Sequence, residues 1–409
     1  MTISLAEAAF WLAAGALIWS YAIYPLLLFF LAAVRQTWRD VAFLLGRRER
    51  RPIAREEFEP RVALLVAAHN EEAVIEHKIA NTLALDYPSD RFEFLLGLDA
   101  PSDSTAERAG RASHPSFHLL PFPARRGKLA VVRDLAAATG AQILVFSDAN
   151  TMMEPGTLRY LVRHFRDAHV GAVCGELRLA NAEGTPHGES LYWRYEVALK
   201  FLENRLNCVL GANGAVYAVR RELFCADRRW IVEDFQVPME IRHAGHRVVY
   251  DPEATALEEA APSLAAEFWR KVRIGAGAFQ TFFANLHFLN PLKGMLALAY
   301  FSHKVLRWFG PFFLLSTWAA SAVLSQRHPV YVGTFAAQTA FYLLALAGLA
   351  GRNKGPRSRL LALPLYFCAV NLALLLGFLR WMSGRQQTKW AATPRSAGAT
   401  AVAKGNVHE

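Results

Sequence analysis

One stretch of the chain, residues 61–72, indicates the class of fold. It reads RVALLVAAHNEE, a run of Val, Leu and Ala without alternation that is followed at once by polar and acidic residues. A continuous apolar run of this kind is typical of a strand buried on both faces, as strands of a parallel sheet are. Residues 71–85 then carry helical spacing, so the stretch predicts a strand followed by a helix.

The same strand–helix unit recurs downstream. Further strands are predicted at 92–98, 117–120, 142–146, 170–174 and 247–250, and further helices at 104–112 and 128–139. This alternation predicts an α/β fold with an open, mainly parallel sheet and helices on both faces. Ligands of such sheets bind beyond the carboxyl ends of the strands, so the residues after each strand are candidates for a functional site.

Apolar residues are concentrated at the two ends of the chain, which has 409 residues and is 53% hydrophobic. Residues 8–34 contain no charge and are long enough for a spanning helix, and further apolar runs lie at 309–324, 330–350 and 360–379. Arginines crowd the segment after the first run. By the positive-inside bias, they predict that the domain that follows lies in the cytoplasm.

The sequence therefore divides into five segments. These are a transmembrane helix with a basic cytoplasmic linker at 1–59, the α/β domain at 60–275, interfacial helices at 276–308, about three transmembrane helices at 309–382 and a tail at 383–409. The side of the tail stays open, because its basic residues favour the cytoplasm while the helix count places it outside. The net charge of +10 is attributed to the membrane flanks, so no nucleic-acid partner is expected. The four cysteines lack metal-site spacing and suit a reducing compartment.

Acidic and amide residues follow three of the predicted strands. Asn70 and Glu71 follow the strand that begins at 61, Asp99 follows the strand at 92–98, and Asp148 and Asn150 follow the strand at 142–146. Each of them has an ordinary alternative as a turn former or helix cap. Together at one sheet edge they could hold a divalent cation against a diphosphate, because Mg²⁺ takes one or two carboxylates alongside phosphate oxygens.

The motifs around these residues resemble those of the membrane-embedded family 2 glycosyltransferases, of the cellulose synthase, hyaluronan synthase and poly-N-acetylglucosamine synthase kind. The motifs are HNEEAVIEHKIANTLALDYP, LDAPSDST, RRGKLAVV, VFSDAN, GANGAVYAVRRELF and VEDFQVPMEIRHAGHRVVYDPEA. The resemblance covers most of the chain. It implies a GT-A type domain that transfers a sugar, with inversion, from a UDP-sugar to a growing polysaccharide or lipid-linked saccharide. It also implies a Mg²⁺ or Mn²⁺ cofactor, a multi-pass location in the cytoplasmic membrane, contact with membrane lipid, and other exopolysaccharide-assembly proteins as partners.

The resemblance also implies a role for individual residues. Asp234 corresponds to the general base, with Glu233 beside it to orient or tune it. The chemistry needs such a base, because an acceptor hydroxyl that attacks the anomeric carbon must lose its proton. Asp99 would recognise the nucleoside, and Asp148 the donor and, with Asn150, the metal. The residue-level alternative for Asp234 is the N-cap of a helix at 235–242.

Three cations are candidates for the donor diphosphate. Lys128 follows a glycine in RRGK but lacks the rest of a P-loop, and its alternative is a solvated basic turn. Arg270 and Arg273 lie where the family carries a QxxRW motif, of which only Arg273 remains, and they could instead face lipid headgroups.

Two departures from the family pattern keep alternatives open. Asn150 stands where an Asp is usual, which leaves the metal in doubt. The lost Gln and Trp of QxxRW argue against long-chain polymerisation, so transfer of a single sugar to a polyprenyl-linked acceptor is an alternative. A catalytically inert membrane subunit that binds nucleotide sugars is the alternative from another class.

Overall fold

A computed structural model describes residues 4–46, 58–180, 187–225, 230–259, 263–351 and 359–384. Residues 47–57 of the predicted segment 1–59 and residues 385–409 of the predicted tail at 383–409 lie outside these residues. The chain forms two compact units. The sheet unit takes its described residues from 58–180 and from 207–266, and the helical unit takes them from 4–46, 187–206 and 267–384.

The sheet unit is built on one eight-stranded sheet. Its strands are β1 Val62–Ala68, β2 Phe92–Asp99, β3 Phe117–Phe122, β4 Ile143–Phe146, β5 Thr151–Met153, β6 Val170–Ala180, β7 Tyr217–Arg220 and β8 Arg247–Glu259. They lie in the order β3-β2-β1-β4-β7-β6-β8-β5. The pairs β1–β2, β1–β4, β2–β3 and β6–β8 are parallel, while β4–β7, β6–β7 and β5–β8 are antiparallel. The predicted open, mainly parallel sheet is therefore confirmed.

Two strands were not predicted from the sequence. β5 has three residues and β7 has four, which is too short for an apolar pattern to stand out from its surroundings. The other strands begin within one residue of the predicted positions. All seven residues of β1 are buried, as the unbroken apolar run requires.

The helices of the described residues are numbered along the chain. They are α1 Leu5–Ile18, α2 Tyr24–Leu44, α3 Ile75–Leu83, α4 Thr105–Gly110, α5 Lys128–Ala137, α6 Thr157–Val162, α7 His187–Arg205, α8 Glu233–His243, α9 Leu264–Ala284, α10 Met295–Ala299, α11 Leu306–Trp308, α12 Gly310–Val323, α13 Pro329–Ala350 and α14 Arg359–Met382. α5 lies close against β2. A Cβ atom on Gly97 would come within 2.3 Å of Val131 Cγ1, so only glycine permits this approach.

Within the residues that the structure describes, the helical unit holds three helices that are long and apolar enough to cross a membrane: Leu5–Leu44, Pro329–Ala350 and Leu360–Met382. The first includes a π-helical turn at Trp19–Ile23 that joins α1 to α2. α12 is a shorter apolar helix of 14 residues. α9 and α14 approach closely at small residues, because a Cβ on Gly377 would lie 2.7 Å from the backbone nitrogen of Ala276.

Candidate active site

Side chains at the ends of β1 and β2 hold the two strand ends together. Asn70, two residues after the end of β1, has a φ of 57°, and Ala100, directly after β2, has a φ of 47°. Asn70 Oδ1 accepts from the Ser102 amide at 2.8 Å, and the Glu71 amide donates to Thr105 Oγ1 at 2.8 Å. Left-handed backbone at a non-glycine residue is uncommon and gathers at functional sites. The proposed contacts of Asn70 and Glu71 with the donor stay predictions.

Asp99 anchors the turn that leads into α5. The residue is 4% exposed, and its Oδ1 accepts from the Arg126 amide at 2.6 Å and its Oδ2 from the Gly127 amide at 2.8 Å. Gly127 has a φ of 88°, which favours glycine. The two hydrogen bonds therefore fix the position at which α5 begins, and Lys128 is its first residue. The nucleoside-binding role of Asp99 stays a prediction.

Lys128 joins two carboxylates that are far apart in the sequence. Its Nζ lies 2.7 Å from Asp148 Oδ1 and 3.0 Å from Glu233 Oε1. Burial works against the charged form, yet Asp148 and Glu233 hold the pKa of Lys128 well above its ordinary value. The structure thus brings Asp148, after β4, together with Glu233 at the start of α8. A solvated basic turn, the alternative reading of Lys128, is wrong, because its side chain is only 15% exposed.

Asp234 lies beside this bridge in the first turn of α8. The predicted N-cap role is wrong, because the helix begins at Glu233 and its N-cap position is Val232. Asp234 Oδ2 instead accepts from the Gly214 amide at 2.9 Å, and a Cβ on Gly214 would approach that oxygen to 3.1 Å.

The surroundings of Asp234 favour its protonated form. Burial and then the neighbouring Glu233 raise the pKa of Asp234 to about 6, while Lys128 opposes this rise. A carboxylate with a pKa near the working pH is suited to general-base catalysis.

Asn150 is engaged by a residue of β8. Its Nδ2 donates to Glu258 Oε1 at 3.0 Å, so an Asp at this position would set two carboxylates face to face. This contact gives a physical reason for the amide in place of the usual Asp.

A divalent cation fits this site only if the donor supplies part of its coordination. No group of three or more His, Cys, Asp or Glu residues with metal-ligating geometry occurs in the described part of the chain. Asp148 and Asn150 can offer oxygen ligands, and the rest would come from a diphosphate, which is how Mg²⁺ is commonly held at phosphate-transfer sites.

Lys78 is a residue that the sequence reasoning missed. It is fully buried on α3, and its Nζ donates to Ser147 Oγ at 2.7 Å and to the Thr151 carbonyl at 2.6 Å. Burial lowers the pKa of Lys78 to about 7, and the nearby Asp148 opposes this shift. Through these two hydrogen bonds, Lys78 holds the loop that carries Asp148 in place. One signal was present in the sequence, because Lys78 falls within the apolar stripe of α3 where a charged residue is unusual.

Arg270 and Arg273 lie on α9 in the helical unit, whereas the other predicted site residues lie in the sheet unit. Arg270 donates to both carboxylate oxygens of Glu267, at 2.7 and 2.9 Å, on its own helix. The diphosphate role of Arg270 and Arg273 stays a prediction.

Comparison with known proteins shows the family to which the chain belongs. Residues 60–277 match the family described as "Glycosyltransferase like family 2". The chain is 25% identical over 233 residues to the probable glycosyltransferase YdaM of Bacillus subtilis, covering 52% of this chain and 53% of that protein. It is 26% identical over 238 residues to a beta-monoglucosyldiacylglycerol synthase of Trichormus variabilis, covering 54% and 50% respectively. The chain therefore spans about half the length of the curated relatives it matches.

Among solved structures, the mannosyltransferase PcManGT from Pyrobaculum calidifontis, solved with GDP-Man and Mn²⁺, has a similar fold. The TM-score is 0.66 and the identity 21%, with 93% of this chain and 98% of that chain covered. At this identity the likeness speaks for the fold alone. Because the family match covers more than half of the sequence and coincides with the strand-end site, the chain belongs to the family 2 glycosyltransferases, and its sheet unit is a GT-A type domain.

Proposed function

We propose that this protein transfers a sugar, with inversion, from a nucleotide-diphosphate sugar to a lipid-linked acceptor at the cytoplasmic face of a membrane. The observation that carries the proposal is the placement of Asp234, a buried carboxylate with a raised pKa, beside the bridge of Lys128, Asp148 and Glu233. This arrangement offers one base together with one cation. Direct displacement at an anomeric carbon needs both.

Asp234 would take the proton from the attacking acceptor hydroxyl. As the new bond forms, that hydroxyl becomes more acidic, and a carboxylate with a pKa of about 6 is ionised at neutral pH and can accept the proton. A single base on the side opposite the leaving group leads to inversion. Hydrolases that retain configuration use a second carboxylate as a nucleophile.

The leaving diphosphate needs neutralisation rather than protonation. Lys128 stands beside Asp148 and could turn towards the diphosphate when the donor binds. A divalent cation held by Asp148, Asn150 and the diphosphate would supply further positive charge to the leaving group. The amides at 126 and 127 already bind the Asp99 carboxylate, so this turn is organised before the donor arrives.

Three lines of support favour a lipid acceptor. The beta-monoglucosyldiacylglycerol synthases among the relatives bear names that describe sugar transfer to a lipid, and the helical unit holds three helices able to span a membrane. The missing Gln and Trp of the QxxRW motif also speak against a long polymer. A growing polysaccharide is the second candidate acceptor. The two differ in product, because polymerisation gives chains of mixed length and a lipid acceptor gains a single sugar.

The proposal is tested by replacing Asp234 with Asn. The amide keeps an oxygen for the Gly214 N–H but cannot take a proton, so transfer should fall at least about a hundredfold while nucleotide binding changes little. The assay is nucleotide release and labelled product formation by the full chain, with UDP-sugars and GDP-sugars tested in parallel and Mn²⁺ or Mg²⁺ present. Asp134→Asn is the matched control, because Asp134 pairs with Arg126 outside the bridge.

Two results would contradict the proposal. If Asp234→Asn retains transfer, Asp234 is not the base. If the unaltered protein binds a nucleotide sugar but releases no nucleotide with any donor, the inert-subunit alternative holds. GDP release without UDP release would leave the transfer in place and correct the donor.

A further inference from the structure

The helical unit contains a buried network of charged side chains that the proposed reaction does not use. Glu203, His303 and Arg307 are 2%, 3% and 7% exposed. Glu203 Oε1 accepts from the Tyr24 hydroxyl at 2.9 Å and lies 2.7 Å from His303 Nδ1. His303 Nε2 lies 3.1 Å from Glu196 Oε2, and Arg307 Nη1 donates to Glu196 Oε1. The network joins α7 to the segment just before α12.

Two π-helical turns meet at this network. They are Trp19–Ile23 and Tyr300–Val305. Trp19 Nε1 donates to Ser302 Oγ at 2.8 Å, and Ser20 Oγ donates to the Ser302 carbonyl at 3.0 Å. Single π-helical turns are rare and occur frequently at functional sites, so their pairing here points to a role beyond packing.

Arg307 leaves one edge of its guanidinium unused. Nη1 binds Glu196, but Nε and Nη2 have no hydrogen-bond partner among the residues that the structure describes. The rings of Tyr21 and Tyr195 flank the guanidinium, with centroids 5.2 and 4.8 Å from Cζ. Buried donors without partners are costly and uncommon in native proteins. Nε–H and Nη2–H lie on the same edge of the planar group, which matches the paired oxygens of a carboxylate or phosphate.

A buried acceptor atom without a hydrogen-bond donor lies near Tyr21. A Cβ built on Gly310 would lie 3.1 Å from Asn371 Oδ1 and 4.0 Å from the Tyr21 hydroxyl, so both groups lie beside the start of α12. Asn371 Oδ1 is buried and has no donor within the described ranges. A ligand with two acceptor oxygens for Arg307 and a hydroxyl for Asn371 would satisfy both groups.

The place of Arg307 in the chain indicates what kind of anion can reach it. Arg307 lies three residues before α12, an apolar helix, and one residue before Trp308, and cations and tryptophans at such positions lie at headgroup depth. Lys304 adds a second cation one turn away. The two carboxylates of the network are matched by these two cations, so the network holds no excess negative charge that would repel an anion.

We propose that Arg307 binds the phosphate group of a membrane lipid, with two phosphate oxygens on Nε and Nη2. The phosphate would enter between the start of α12 and α14, beside Tyr21 and Asn371. This binding does not depend on the proposed transfer reaction and can be tested without it.

The test is native mass spectrometry of the full chain, delipidated in detergent and titrated with dioleoylphosphatidic acid. Diolein serves as the uncharged lipid, and glycerol 3-phosphate serves as the soluble phosphate. The unaltered protein should retain phosphatidic acid saturably and diolein weakly. Arg307→Lys keeps the charge beside Glu196 but loses the paired edge, so its affinity should fall about tenfold or more. The affinity of Arg307→Gln for phosphatidic acid should fall at least as far.

The matched control is Arg327→Gln. Arg327 also belongs to the helical unit, but it is 57% exposed and pairs with Glu7, so its loss should leave lipid affinity unchanged. Thermal melting separates loss of folding from loss of binding. If Arg307→Gln does not fold, the test relies on the lipid affinity of Arg307→Lys. Equal retention of phosphatidic acid and diolein by the unaltered protein, or equal affinity of Arg307→Lys and the unaltered protein, would overturn the proposal. Retention of glycerol 3-phosphate as tight as that of phosphatidic acid would support the phosphate site but assign it to a soluble ligand.

Discussion

Replacing Lys128 with Met should move the acid limb of the pH–activity profile upwards. In the unaltered protein, activity should fall as the pH drops through about 6, because protonation of Asp234 removes the base. Lys128 lowers the pKa of Asp234, and its Nζ lies only 2.7 and 3.0 Å from the carboxylates of Asp148 and Glu233. Without that cation, three carboxylates share the site and the ionised form of Asp234 becomes less favourable.

The expected size of the shift in the acid limb follows from the effect of a nearby opposite charge, which commonly moves a pKa by about one to three units. The limb of Lys128→Met should therefore lie about one to two pH units higher than that of the unaltered protein. At pH 7 a base with a pKa of about 6 is mostly ionised, whereas the shifted base would be ionised in about half to a tenth of the molecules. Titration alone should thus lower kcat/KM at pH 7 by about twofold to tenfold.

The assay is kcat/KM for nucleotide release from pH 5 to pH 9 at fixed Mn²⁺ concentration, with thermal melting at each pH. Lys128→Arg keeps the charge and should hold the limb near its original position. Arg126→Gln removes a neighbouring cation whose side chain pairs with Asp134 at 2.6 Å, so it should not move the limb. An acid limb of Lys128→Met that stays in place, or an equal shift in Arg126→Gln, would refute the electrostatic reasoning.

Two further predictions concern the loop that carries Asp148. Lys78→Met should lower kcat several-fold and also lower the melting temperature, because the Thr151 carbonyl and the Ser147 hydroxyl lose their buried donor and the Asp148 loop is no longer held; an unchanged kcat would contradict it. Asn150→Asp should lower the free energy of unfolding by about 1–3 kcal/mol at pH 7, because it replaces a hydrogen bond to Glu258 with a pair of like charges. The deficit should shrink at pH 5 in thermal melts, whereas Asn150→Gln should show no such pH dependence.

Local patterns were enough to predict most of the sheet and the helices on it. The run at 61–67 predicts β1 because no polar residue interrupts its apolar part, and the uncharged apolar runs at both ends of the chain predict helices able to span a membrane. The short strands β5 and β7 were not predicted, because their pairing with β8 and β4, rather than their own residues, makes them strands. The start of α8 was misplaced by two residues, because its first turn is held by contacts with the 211–214 segment instead of a side-chain cap.

The sequence by itself determined the family, the fold class and the residues at the strand ends, because those depend on periodicity and on short motifs. Only the tertiary structure decided how these residues are used. Lys128 contacts Asp148 and Glu233, and Lys78 contacts the loop that carries Asp148, and each of these contacts joins segments that are distant in the chain. Which donors of Arg307 lack a partner likewise depends on the packing around them. Burial and the neighbouring charges, which set the pKa of Asp234, likewise exist only once those segments are packed together.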